Sequence, residues 1–277
     1  MISTIKSMGG RFVSKEGAKA CLASIGFVAT FLEVVDYFDD SIVDSFPKYF
    51  IPLVLLFVLV ITYLSVRPKK ALKYKIPGRN QSIEIIVDDI FNHKNIVITA
   101  DRALSTDRIG RESLVTQLLE KEPHFKTVLT SYKNKESDFK LLKSGAVINL
   151  IDDLKTSTST TDQSTFEDVL LLACGSPSEN GTDTDWSSLS ESFTGLWQHL
   201  RAENMQSIAI PVIGSGYSKA RLNHSAILQM ILLSYVSANK DKTIVKSIKI
   251  VVDEEDYSWD DWLRADSLLH GLDLERE

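Results

Sequence analysis

Gly214-Ser215-Gly216, followed by Tyr217, lies inside SIAIPVIGSGYSKARLNHSAILQMILLSYV. An apolar strand-like run ends at these glycines, and a helix with an apolar stripe begins soon after. Glycines let a backbone approach a ligand closely. Successive N–H groups together with a helix N-terminus favour phosphate. The spacing is neither G-x-G-x-x-G nor the Gly-Lys-Ser/Thr of a Walker A loop. Taken alone, GSG also describes an ordinary structural turn. Tyr217 either stacks on a ligand ring or is a solvent-facing loop tyrosine. His93, His124, His199, His224 and His270 show no metal-ligand spacing and read as surface or helix-face histidines. Cys21 and Cys174 are far apart in unlike contexts, with neither a disulfide framework nor zinc spacing. That usage suits a reducing compartment.

The elements that must position the glycine loop alternate along the C-terminal three quarters. SIEIIVDDIF, KNIVITA, GAVINLI, FEDVLLLACG, SIAIPVI and SIKIVVDEED read as strands. DRIGRESLVTQLLEKE, WSSLSESFTGLWQHLRAEN, the segment after the glycine loop and WDDWLRADSLLHGL read as helices. DVLLLA and SIAIPVI are apolar throughout, which favours a sheet covered on both faces. The expected architecture is a three-layer α/β/α sandwich with a mixed sheet.

The first quarter differs. Tyr49 to Val66 carries no charge, about the 18–20 residues a helix needs to cross hydrocarbon. Pro52 falls in its first turn, where a missing N–H costs little. Arg67, Lys69 and Lys70 follow and mark the cytoplasmic end. A second apolar run, Ala20 to Val35, follows Lys6, Arg11, Lys15 and Lys19. Together they predict a transmembrane hairpin over residues 1–70, with spans near 18–38 and 49–66. Glu33 falls near the outer end, at headgroup level, and Gly26 with Thr30 forms a small-residue face. A buried core helix is the alternative for the second run, and a signal peptide for the first. No small-residue cleavage site follows the first run, however. Residues 71–81 read as a basic juxtamembrane linker ending at Pro77-Gly78, and 82–277 as the α/β domain. The formal net charge of −6 argues against nucleic acid as a partner.

Several motifs bear a family resemblance. IAIPVIGSGYS with its following helix resembles the diphosphate loop of macro domains, which are ADP-ribose-binding modules. VDDIFNHKNIVITAD is similar to their opening signature, a Gly-Asp-Ile step followed by a strand ending Val-Asn-Ala-Ala-Asn. SGAVINLI and FEDVLLLACGSP fit the middle strands, so the resemblance spans residues 80 to 255. It implies that Asp89 and Ile90 hold adenine, the Asp89 carboxylate accepting from the adenine amino group. It implies that Gly214, Ser215, Gly216 and Tyr217 hold the diphosphate. Ala100, Asp101 and Ser113 would then line the distal end. Asp101 stands where macro-domain hydrolases carry the second Asn, and RALSTDRIGRESL replaces their glycine-rich catalytic loop. These departures favour binding over hydrolysis. Asp101 could pair with an amine on the ligand, or cap the helix that follows.

The whole layout, with Ser113-Leu114 and Gln117, resembles the transmembrane–macro effectors of type II Thoeris anti-phage systems. In that family a TIR-domain enzyme consumes NAD and makes an ADP-ribose-derived signal, histidine-linked ADP-ribose. The macro domain binds it, and the membrane part oligomerises and disrupts lipid. The resemblance therefore implies a multi-pass inner-membrane protein with its macro-like domain in the cytoplasm. It implies a nucleotide signal as ligand, no cofactor, no metal and no catalytic residue. A membrane-tethered ADP-ribosyl hydrolase and a membrane-anchored protein-binding scaffold are the alternatives.

Overall fold

Alternation and caps in the sequence account for most elements of the computed structural model, which divides into two units, Met1–Lys69 and Lys70–Glu277. The structure describes Leu22, Ala23, Gly26, Thr30, Glu33, Leu56 and Val60 of the first unit. In the second it describes 71–105, 113–135, 141–157, 164–178, 181–212, 223–240, 243–253 and 259–276.

The seven described residues of the first unit are helical. Thr30 Oγ1 donates to the Gly26 carbonyl at 3.0 Å, one turn back, as Ser and Thr do in helices. Leu22, Leu56 and Val60 are exposed. The expected membrane spans otherwise lie outside the described residues. Among the described residues, no helix is long and apolar enough to cross a membrane.

The second unit opens with β1 (Ala71–Lys75). This corrects the expected linker over 71–81. Leu72 and Tyr74 point into the core while Ala71, Lys73 and Lys75 are exposed, the period-2 pattern of a half-buried strand. The other main strands are β2 (Ser82–Val87), β3 (Asn95–Ala100), β4 (Val147–Asn149) and β5 (Asp168–Ala173). A hairpin of β6 (Ser176–Ser178) and β7 (Gly181–Asp183) stands apart. β8 (Ser207–Pro211), β9 (Ser247–Val252) and β10 (Glu275–Arg276) complete the set.

The helices are α1 (Leu114–Lys121), α2 (Phe125–Lys135), α3 (Leu150–Ser157), α4 (Trp186–Glu203), α5 (His224–Ala238) and α6 (Trp259–Gly271). Side-chain caps start three of them. Ser113, Asp185 and Asn223 accept from the backbone N–H three residues on, satisfying donors that a helix start leaves unpaired. GAVINLI departs from its expected strand. Only Val147–Asn149 is extended, because Asn149 Oδ1 accepts from Ile151 N at 3.1 Å and Leu150 turns into α3.

The main sheet has the order β10-β1-β2-β9-β8-β3-β5-β4. The five strands β2, β9, β8, β3 and β5 run parallel to one another, while β10, β1 and β4 pair antiparallel to their neighbours. It is therefore the mixed sheet expected. Central strands send alternate side chains into two cores. Val97, Leu170 and Leu172 pack with residues of α4, α5 and α6 on one face. Ile96, Ile98, Val169 and Leu171 pack with residues of α1, α2 and α3 on the other. That is the three-layer arrangement, thinning toward β1, whose outer face is exposed.

Candidate functional site

The topology itself locates a crevice. The five parallel strands end on one edge of the sheet. After β3 the chain runs through α1 and α2 on one face and comes back to β4 and β5 on one side. After β8 it runs through α5 on the opposite face and comes back to β9 on the other side. Adjacent strands whose connections diverge leave an open crevice beyond their carboxyl ends, where α/β folds bind ligands. The two loops flanking this crevice begin at Asp101 and Val212.

Asp89 follows β2 on this edge and caps the short 3-10 turn Ile90–Asn92. Its Oδ1 accepts from Phe91 N at 3.0 Å. Oδ2 lies 3.9 Å from Lys121 Nζ at the end of α1, and the Asp89 side chain is half-exposed. Lys121 also sits 4.9 Å from the centroid of the Phe91 ring. Ile90 is buried in the α1–α3 core, and its turn packs against β8. Asp89 thus has one oxygen pinned by Phe91 and one facing Lys121 on a half-exposed side chain, an arrangement able to accept a hydrogen bond from an exocyclic amine.

Ala100 ends β3 and is buried. Asp101 is buried, and its Oδ1 accepts from Ala103 N at 2.8 Å and Ser105 N at 3.0 Å. It therefore shapes a tight turn, as short acidic side chains do, rather than capping a helix. Leu104 closes that turn by donating its N–H to the Asp101 carbonyl at 3.0 Å. It does so with a left-handed φ of 49° and a buried side chain. Arg102 ties the turn down. Its N–H donates to the Gly175 carbonyl, its Nε to the Leu142 carbonyl, and its own carbonyl accepts from Leu142 N. Ser113 Oγ accepts from Thr116 N at 3.1 Å and shares a 2.8 Å hydrogen bond with Thr116 Oγ1, so this side chain serves the start of α1. Gly214, Ser215, Gly216 and Tyr217 lie outside the described residues. Their flanks are fixed: Val212 N donates to the Val251 carbonyl at 3.2 Å, and Asn223 caps α5.

Three further residues behind Asp89 carry no spacing signal in the sequence. Asp88 Oδ1 accepts from Asp89 N at 2.9 Å and from Asn92 Nδ2 at 2.8 Å. His93 Nε2 lies 3.4 Å from Asp88 Oδ2. The His93 side chain is only 12% exposed, which corrects its reading as a surface histidine: the turn folds it back beside β2 and β9. Burial, then Lys249, hold its pKa below the usual 6.5, with Asp88, Glu84 and Asp89 opposing.

The sign follows from linkage. Unfolded, His93 takes a proton near pH 6.5, whereas the folded chain takes it only at lower pH. Its contribution to stability is complete above about pH 6.5 and is lost as pH falls through the folded value. Denaturant midpoints of the parent should therefore drop between pH 7.5 and 5.5 by more than those of His93→Gln. Parallel curves would contradict this assignment.

Solved structures share the fold. An Oceanobacillus iheyensis macrodomain with ADP is 15% identical, with a TM-score of 0.53 covering 74% of this chain and 98% of that one. The same macrodomain with MES bound is 16% identical, with a TM-score of 0.52 covering 73% and 96%. A mutant form of it with ADPR is 16% identical, with a TM-score of 0.50 over 73% and 98%. No curated protein matches the sequence. The shared fold makes the second unit a macrodomain-like α/β/α domain. The family described as "Thoeris protein ThsA, Macro domain" matches residues 83–253, more than half of the chain. The chain belongs to that family.

Proposed function

We propose that this chain is a membrane-anchored sensor and effector of an anti-phage system. Its macro domain binds an ADP-ribose-derived signal made by a TIR-domain enzyme. The observation that carries the reading is the family match over 83–253, which takes in both loops at the crevice between β3 and β8. Adenine lies against Asp89 and Ile90. The diphosphate sits on the backbone of Gly214 to Tyr217, and the far ribose and its substituent face the turn at Ala100 and Asp101, with Ser113 beyond. The uncharged run Tyr49–Val66 followed by Arg67, Lys69 and Lys70 supports a multi-pass anchor in the inner membrane with the macro domain in the cytoplasm. The exposed apolar side chains of Leu22, Leu56 and Val60 fit such an anchor.

In this reading the ligand shifts the chain toward an assembled, lipid-disrupting homo-oligomer. It can do so by no more than its difference in affinity for the two states. The chain acts as a binder rather than a hydrolase. The described bonds of the Asp101 carboxylate shape its own turn, and RALSTDRIGRESL is not a glycine-rich catalytic loop.

Calorimetry of the full-length chain with ADP-ribose, its histidine conjugate and NAD tests the proposal. Tight binding without turnover, with preference for the conjugate, is the expected result. Turnover would make the protein a tethered ADP-ribosyl hydrolase. The absence of binding to all three would leave a protein-binding scaffold.

A further inference from the structure

We infer that Asp88 is a positioning residue for adenine recognition, holding Asp89 through the backbone and steadied from behind by His93. The inference rests on the proposed contact between Asp89 and the adenine amino group. A half-exposed carboxylate selects a base only if it is held still, because a hydrogen bond weakens steeply as its angle opens. The Asp89 carboxylate itself is held by one hydrogen bond, from Phe91 N to Oδ1, and by the ion pair of Oδ2 with Lys121 at 3.9 Å. What fixes the residue as a whole is Asp88, whose Oδ1 accepts from Asp89 N and also from Asn92 Nδ2. One oxygen thus bridges the first and last parts of the 3-10 turn. The second oxygen of Asp88 faces His93 Nε2 at 3.4 Å. That ring nitrogen is buried and makes no hydrogen bond of ordinary geometry. A bare lone pair there would oppose the carboxylate, so the proposed brace places the ring proton on Nε2.

The chain of contacts runs from the interior to the ligand. His93 lies within electrostatic reach of Glu84 on β2 and Lys249 on β9, Asp88 faces its ring, and Asp89 hangs from Asp88. None of these residues behind Asp89 touches the ligand, so their removal affects which base is accepted more than whether a diphosphate binds. Adenine offers an amino donor to Asp89, while hypoxanthine offers a carbonyl oxygen that repels it. The ratio of affinities for ADP-ribose and its hypoxanthine analogue is therefore the readout, since a general loss of structure would weaken both ligands together.

The test is calorimetry of the full-length chain with these two ligands. In Asp88→Ala the adenine preference should fall about tenfold, the order expected when a charge-assisted hydrogen bond is misplaced. Asp88→Asn should restore most of it. The amide oxygen accepts the same two bonds, and its NH2 can face His93 after a tautomer change. Asp89→Ala is the reference and should abolish the preference. If Asp89→Ala abolishes the preference and Asp88→Ala leaves it intact, the brace is overturned while the adenine contact stands. Equal losses in Asp88→Ala and Asp88→Asn would also overturn it. An unchanged ratio in Asp89→Ala removes the adenine contact, and the brace with it. Should Asp88→Ala fail to fold, His93→Gln decides: a reduced ratio supports the brace and an unchanged ratio overturns it.

Discussion

Gly214→Glu is expected to lower affinity for ADP-ribose by a hundredfold or more. Two losses combine. In the proposed site, a side chain at this position would fill space that a close backbone approach to the diphosphate requires, and the N–H groups before a helix could no longer wrap the anion. The new carboxylate also repels the phosphates. One pair of unit charges about 4 Å apart costs ~1 kcal/mol in water and ~4 kcal/mol at a protein surface, and a diphosphate carries two. A hundredfold loss is about 2.7 kcal/mol, which repulsion alone can supply. The strand before the loop and the helix after it carry their own anchors, the Val212–Val251 hydrogen bond and the Asn223 cap. The denaturation midpoint should therefore stay close to that of the parent. Calorimetry decides the matter, and binding within threefold of the parent would remove the diphosphate from this loop.

The parts of this molecule that were legible in the sequence carry redundant signals. In α4, Leu189, Phe193, Leu196, Trp197 and Leu200 fall on one helical face and are buried together, and Asp185 announces the start. β5 is an uninterrupted apolar run because both sheet faces are covered. β1 is hidden in the sequence for a physical reason. Lys73 and Lys75 are its solvent side, but beside Lys69 and Lys70 they look like one more stretch of a basic linker. α2 carries Phe125, Val128 and Leu129 at helical spacing, a signal diluted by the lysines and other polar residues between and after them. GAVINLI is apolar enough for a strand or a helix, and a single cap at Asn149 splits it. At the site, the resemblance to macro domains pointed to Asp89 and Ile90. The support behind them depends on His93 folding back against Asp88 with Lys249 and Glu84 nearby, and spacing along one strand cannot reveal how residues of three segments come together. Asp101 is a related case. Its type and place suggested a ligand contact or a helix cap, but the two N–H groups that Oδ1 accepts from belong to a turn whose shape depends on Leu142 and Gly175.

Gly195 is tied to the same loop, and its substitution should be strongly destabilising, although it lies inside a helix. Gly→Ala inside a helix ordinarily gains about 0.5–1 kcal/mol. Here the opposite sign is expected. A Cβ on Gly195 would lie 2.7 Å from both the Cα and the carbonyl carbon of Gly145, and real Cβ atoms do not approach backbone that closely. The neighbour cannot rotate away as a side chain would. Gly145 has a left-handed φ of 83°, donates its N–H to the Ala173 carbonyl at 2.9 Å, and would itself clash with the Glu191 carbonyl if it carried a Cβ. Forcing α4 off this loop should cost about 2–3 kcal/mol, the upper range for overpacking. For a domain of this size that is a fall of roughly 5–10 °C in Tm. The loop that moves contains Leu142, whose carbonyl and N–H hold Arg102 and with it the turn at Asp101. Gly195→Ala should therefore also weaken ADP-ribose binding severalfold, without any contact between residue 195 and the ligand. Thermal denaturation and calorimetry on one preparation test both parts. An unchanged or raised Tm would show that α4 and the loop can separate freely. A lowered Tm with full affinity would show that the turn at Asp101 keeps its shape without its support from Leu142.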